Sequence, residues 1–217
     1  MSLTLYAHPF SSYCQKVLIT LYENTMPFTL RMLGDIDADR ELARLWPIKR
    51  MPILDDAGHT LMEASIIVEH LGLHHGGVVR LMPQDSKDAL DVRFMDRFFD
   101  NYVMTPIQRI VSNHMRQSEQ RDEQTAAEAR SLLETAYRWL DQRMAGREWA
   151  CSHGFSLADC AAAPALSYAD WTHPIDDALA NVRQYRARLL SCPSFARAVD
   201  EARPYRPLFP LGAPNRD

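Results

Sequence analysis

The hydrophobic period of this chain changes once, at His75-Gly76-Gly77, and that change limits what it can fold into. Before it, apolar residues alternate with polar ones in short runs, the period-2 mark of half-buried strands. Leu3 and Leu5 alternate with Ser2 and Thr4 over Ser2 to Tyr6, and Phe28, Leu30 and Met32 alternate with Thr29 and Arg31. Ile53-Leu54 and Thr60-Leu61-Met62 flank Asp55-Asp56-Ala57-Gly58-His59, a hairpin with a glycine turn. Between these runs the spacing is helical. Cys14, Val17, Leu18 and Leu21 fall at i, i+3, i+4 and i+7, one face of a helix that Asn24 stops. Asp37 to Leu45 reads as a short polar helix ended by Trp46-Pro47. Glu63 to His74 reads as a helix with Ile67, Leu71 and His74 on one side. The predicted order is βαβαββα, a mixed sheet with helices on both faces.

From Ser86 onward no period-2 run remains. Helical spacing covers Asp88 to His114, kinked near Thr105-Pro106, then Ala126 to Met144, Ser156 to Asp170, Asp176 to Leu190 and Ser194 to Ala202. After Pro204 the prolines exclude a continued helix. Leu81-Met82-Pro83-Gln84-Asp85 reads as a linker. The expected organisation is an α/β domain over residues 1–77, a linker over 78–85 and an all-α domain over 86–217.

Net charge is −4, without a basic block, which argues against nucleic acid or an anionic membrane as partner. No apolar run approaches the ~18 residues of a membrane span. Met1 leads into a strand pattern without a basic and apolar leader, so a cytoplasmic chain is expected. Cys14, Cys151, Cys160 and Cys192 lie far apart, without metal-ligand spacing, and read as reduced thiols. His70 and His74 stand at i, i+4, but no third ligand is evident in the sequence and no metal is expected. The glycine-rich nucleotide loops and the HExxH helix are absent.

The chemistry concentrates in Ser11-Ser12-Tyr13-Cys14, between the first strand and the first helix. The spacing is that of a Cys-x-x-Cys turn whose first cysteine is a serine. A hydroxyl cannot exchange disulfides, but it can cap the helix, as can Ser12, or donate a hydrogen bond to another molecule's thiolate. Cys14 is the rival nucleophile. It lies on the apolar helix face, where burial raises a thiol's pKa and makes it inert. Ser156-Leu157-Ala158-Asp159 has the form of a capping box, with Phe155 placed as a hydrophobic staple. That geometry occupies both side chains and leaves little room for a catalytic Ser/Asp pair.

Three further segments fall in one order with that turn: Trp46-Pro47-Ile48-Lys49-Arg50-Met51-Pro52-Ile53-Leu54, Glu63-Ala64-Ser65-Ile66-Ile67-Val68-Glu69-His70-Leu71, and the Ser156 box. With them, essentially the whole chain resembles the cytosolic glutathione transferases, with a thioredoxin-like first domain and an all-helical second domain. The turn looks most like the serine-using branches, such as the zeta and theta classes. The resemblance implies an enzyme that binds glutathione as co-substrate, needs no metal, and forms a homodimer. It makes Ser11 the thiol-activating residue. It also makes Pro52 a candidate cis-proline that turns the Met51 backbone toward the cysteinyl part of the peptide. Lys49 or Arg50 would hold the glycyl carboxylate, and Glu63, Ala64 and Ser65 the γ-glutamyl end. The family usually has serine directly after the Glu63 position. Here that residue is Ala64, and Ser65 is rotated by about 100° around the helix. A small hydrophobic electrophile would meet Phe10, Phe98, Tyr102, Met104, Arg109 and Trp171. Two other readings stay open at this stage: a glutathione-binding or regulatory protein without catalysis, favoured by Ala64, and a Cys14-dependent reductase.

Overall fold

In the computed structural model, which describes residues 3–217, four strands form one mixed sheet in the order β2-β1-β3-β4. Ser2, read as the start of the first strand, lies outside the described residues. Strand β1 (Leu3–Ala7) runs parallel to β2 (Phe28–Met32) and antiparallel to β3 (Ile53–Asp56), which pairs antiparallel with β4 (His59–Met62). Ala57 and Gly58 join β3 to β4 with φ of +52° and +92°, the positive values a two-residue hairpin turn demands.

Helices α1 (Ser12–Glu23), α2 (Ile36–Leu45) and α3 (Ala64–His74) cover both faces, as the topology predicts. Alternation along the strands sorts the side chains. Leu3, Leu5, Ala7 and Leu54 join α1 and α3 in the main core, while Tyr6 and Ile53 pack with Ala38 and Leu42 of α2 on the other face. Leu30, expected to face inward, is partly exposed because β2 is an edge strand. His74, expected beside Ile67 and Leu71, is exposed at the last turn of α3.

The second half is helical: α4 (Ser86–Phe98), α5 (Thr105–His114), α6 (Glu123–Met144), α7 (Leu157–Thr172), α8 (Ala180–Ser191) and α9 (Pro193–Ala202). The kink expected near Thr105-Pro106 takes the form of a π-helical segment, Phe99–Met104. Pro106 follows in the first turn of α5, directly after that segment. Two expectations need correction. Helix α8 starts at Ala180 rather than Asp176, because 176–179 form a turn. The proline-rich tail also keeps a 3₁₀ turn, Arg203–Leu208.

Helix α1 is the element the two halves share. Its apolar face meets the sheet, as expected, but Gln15, Lys16 and Thr20 on the other face are buried too. They meet the helical half. Gln15 donates to the Tyr168 hydroxyl at 3.4 Å, Thr20 to Cys160 Sγ at 3.8 Å, and Lys16 to Asp96 at 2.8 Å. The run of small residues from Ala161 to Ala165 in α7, all buried, lets that helix lie close against α1.

The Ser156 capping box forms. Asp159 Oδ2 accepts from both the Ser156 N–H and its hydroxyl at 2.9 Å. Oδ1 accepts from the Ala150 N–H at 2.9 Å and the Tyr185 hydroxyl at 2.6 Å. Burial raises the Asp159 carboxyl above its ordinary value despite these four donors. Both side chains are fully enclosed, which rules out a catalytic pair. Asp159→Ala is expected to cost about 3–5 kcal/mol, since several buried donors lose their acceptor. Urea unfolding should show a lowered midpoint at unchanged slope, and a loss below about 1 kcal/mol would contradict this role.

Candidate active site

A cleft of about 730 Å³ opens between the halves. One wall comes from the β1–α1 turn (Phe10, Ser11, Ser12, Tyr13), the residues ahead of β3 (Lys49 to Pro52) and the start of α3 (Glu63, Ala64). The other comes from α4, the π-helical segment, α5 and Tyr168. Two helix N-termini, those of α1 and α3, end in this space. Their free N–H groups and dipoles favour negative charge there.

Ser11 is the N-cap of α1 and lines the cleft. Its Oγ accepts from the Cys14 N–H at 3.4 Å, and its own N–H donates to the His8 carbonyl at 3.0 Å. Accepting a cap bond leaves the hydroxyl its proton to donate. Cys14 is fully buried. Burial pushes its thiol up to about 11, offset only in part by Ser11 and the His8 backbone. Tyr13, which the sequence reading passed over, also lines the cleft. Burial, and after it the Asp100 charge, pushes its phenol up to about 12, so it stays protonated at neutral pH.

The Met51–Pro52 peptide is cis, as anticipated, with Pro52 buried and Lys49, Arg50 and Met51 exposed along the rim. Glu63 holds φ +68° and ψ 117° at the N-cap of α3 and makes no side-chain cap bond, so its carboxylate is left to the cleft. A non-glycine residue in that conformation is costly and marks sites that the surroundings impose. Ala64 lines the cleft but Ser65 does not. The Ser65 hydroxyl donates to Asp96 Oδ2 at 2.7 Å and accepts from Arg97 at 2.6 Å, so the helical rotation turns it into the protein.

The opposite wall was only partly anticipated. Arg97, Asp100, Asn101 and Met104 line it at i, i+3, i+4 and i+7, with Ile107, Gln108 and Val111 continuing along α5. That stripe has helical spacing but mixed polarity, so hydrophobic periodicity could not flag it. Among the six residues expected at the electrophile site, Phe10 and Met104 line the cleft. The other four do not. Phe98 is buried against Phe99 and Trp139, and Tyr102 packs on Phe98, on the side of the helix turned away. Arg109 is exposed on the outer side of α5. Trp171 lies behind Tyr168, against Phe209 and under the Arg206 guanidinium.

Arg97 and Asp100 belong to a buried ionic group. Lys16 Nζ meets Asp96 and Asp100, each at 2.8 Å, and Arg97 meets Asp96 at 2.7 Å and Asp100 at 3.1 Å. Burial works to raise the Asp96 carboxyl, but Lys16 and its other donors hold it below its ordinary value. For Asp100 burial prevails and the carboxyl is raised. Away from the cleft, His70 and His74, noted in the sequence for their i, i+4 spacing, do not share a partner. His70 shares a carboxylate, Asp56, with His75, and His74 only stacks on its ring.

Family models described as glutathione S-transferase N-terminal domain and C-terminal domain match residues 5–78 and 123–188. Among solved structures, a glutathione S-transferase of Methylobacterium radiotolerans in complex with glutathione sulfonate is 26% identical, with a TM-score of 0.80 over 92% of this chain and 95% of its own. One from Methylobacillus flagellatus with glutathione bound is also 26% identical, with a TM-score of 0.80 over 90% and 98%. A delta-class glutathione transferase of Nilaparvata lugens, 22% identical, superposes with a TM-score of 0.82 over 95% and 98%, a likeness of fold. The fold is thus the thioredoxin-like α/β unit followed by the helical unit of these structures.

The burial of the cysteines has a direct consequence. With a pKa near 11, Cys14 is about one part in a thousand thiolate at pH 8. Burial also raises Cys151, Cys160 and Cys192. Ellman's reagent is therefore expected to titrate the native chain slowly at pH 8 and to count all four thiols only after denaturation. Rapid labelling of Cys14 in the native chain would contradict the geometry.

Proposed function

Because the chain belongs to the glutathione S-transferase family, we propose that its cleft binds glutathione and that Ser11 activates the bound thiol for attack on a small hydrophobic electrophile. The observation that carries this reading is the Ser11 hydroxyl, set at the N-terminus of α1 inside the cleft with its proton available. A free thiol titrates near ~8.5, so only a small fraction is ionised at neutral pH. A hydrogen bond to a charged acceptor contributes roughly 1.5–3 kcal/mol, which lowers the thiol pKa by about one to two units. The α1 dipole acts in the same direction. The thiol proton leaves to solvent, the thiolate sulfur bonds to the electrophilic carbon, and the leaving group departs with its electron pair or the π-bond shifts. No step requires a metal.

The cleft's polarity supports this substrate pair. At the rim, Lys49 and Arg50 supply positive charge for the glycyl carboxylate, with the Met51 backbone beside them for the cysteinyl unit. At the start of α3 the Ala64 N–H suits the γ-glutamyl carboxylate, and Glu63 and Asp100 suit its ammonium. Phe10, Met104, Ile107, Val111 and Phe209 form the apolar end, where the electrophile would lie. A serine in the Ser11 role would make the chain a serine-type member, like the zeta and theta classes. Ile66 and Leu73 of α3 and Leu90 and Phe94 of α4 are exposed around the Glu69–Arg93 ion pair, which suits pairing with a second copy. Four cysteines, none in a disulfide, suit a reducing cytoplasm. No described helix is long and apolar enough to cross a membrane.

Ser11→Ala is expected to lower kcat/KM for conjugation of chlorodinitrobenzene by about 10- to 100-fold, with glutathione affinity by calorimetry little changed. Tyr13→Phe and Cys14→Ala should stay within about threefold of the parent. A large loss in Tyr13→Phe with none in Ser11→Ala would move the role to the phenol, and loss in Cys14→Ala alone would favour a reductase. Calorimetric binding with no turnover across an electrophile panel would favour the non-catalytic reading.

A further inference from the structure

At the end of the sheet remote from the cleft, two imidazoles converge on one carboxylate oxygen. His70 Nε2 lies 2.9 Å, and His75 Nε2 2.7 Å, from Asp56 Oδ2. The three ligand atoms all fall within 4.8 Å of one another, and each side chain is only 13% exposed. Two elements deliver them, β3 and α3 with its C-cap. Asp56 ends β3, His70 lies in α3, and His75 is the C-cap of α3, where the chain leaves the helix toward Gly76 and Gly77 with φ of +67° and +146°. His59, the cross-strand partner of Asp56, places its ring 5.9 Å from that of His70.

We propose that Asp56, His70 and His75 form a peripheral site for a divalent transition cation of the zinc, cobalt or nickel kind, which clips the β3–β4 hairpin to the end of α3. Two imidazoles and a carboxylate are the donor set such ions prefer over magnesium or calcium. A tetrahedral ion with bonds of ~2.0–2.1 Å holds its ligand atoms roughly 3.3 Å apart. The observed oxygen–nitrogen separations need to open by only about half an ångström to reach that spacing. Each imidazole ligates through Nε2 once its proton resides on Nδ1, where solvent or backbone accepts it. His59 or water completes the shell. The cleft residues Pro52 and Ala64 sit at the other ends of β3 and α3, and α3 alone is 11 residues, or about 16 Å, long. The ion therefore stands apart from the conjugation chemistry.

The test uses the full chain without an affinity tag, stripped by a chelator. It is titrated with Zn²⁺ by calorimetry and with Co²⁺ by visible absorption. The expected result is saturation at about one equivalent per chain, with intense visible Co²⁺ bands of four- or five-coordination and a raised thermal midpoint. His75→Gln and His70→Ala should each weaken binding by about 100-fold, while His74→Ala changes it by no more than about twofold. Circular dichroism checks folding, and His75→Gln, beyond the helix end, carries the test if His70→Ala fails to fold. No saturable binding below about 1 mM, unchanged affinity in His75→Gln, or loss of binding in His74→Ala would each overturn the proposal.

Discussion

Lys16 is 1% exposed, and its ammonium meets the carboxylates of Asp96 and Asp100. A charge at that depth is tolerated only when paired and hydrogen-bonded, and removing one partner of such a pair typically costs about 3–5 kcal/mol. The pairing therefore restricts how α1, α4 and the π-helical segment can sit together, with α3 tied in through Ser65. Two acids and two bases, counting Arg97, balance the charge. Arg97 and Asp100 also form part of the cleft wall. One ionic group thus joins the halves and sets the polarity of the space between them.

The π-helical segment has a related role. Its wider turn falls between α4 and α5, and the Thr105 hydroxyl donates to the Asp100 carbonyl at 3.1 Å. An insertion of this kind shifts the register of the helix face that follows. Here Asp100, Asn101 and Met104 within the segment, and Ile107 in the helix after it, line one cleft. The polar end and the apolar end of that wall are continuous along one helical path.

The first unit was largely legible from its residues, because β1, the hairpin and α2 obey simple alternation or spacing rules and carry clear turn and cap signals. What escaped has a common cause. Gln15, Lys16 and Thr20 lie off the apolar face of α1 that the spacing marks, yet a second unit covers them. Nothing local distinguishes a polar face that meets solvent from one that meets a buried carboxylate. The same holds for Ser65, which local register turns into that network. On the far wall the rule that picks aromatic residues chose Phe98, Tyr102 and Trp171, and packing placed them behind the cleft instead. The lining stripe of Arg97, Asp100, Asn101 and Met104 has no uniform polarity for a pattern to find. His75 was missed as a partner of His70 because i, i+5 is not a helical contact. It becomes one only because the chain leaves α3 at that residue.

In the proposed mechanism, one hydroxyl at the first turn of α1 stabilises the negative sulfur of a bound peptide. Ultraviolet thiolate absorbance of glutathione, titrated with pH in complex with the parent chain and with Ser11→Ala, tests it most directly. The bound thiol is expected to ionise about one to two units below the free peptide, and to return by most of that shift in Ser11→Ala. An equal pKa in the two complexes, or no depression in either, would contradict it.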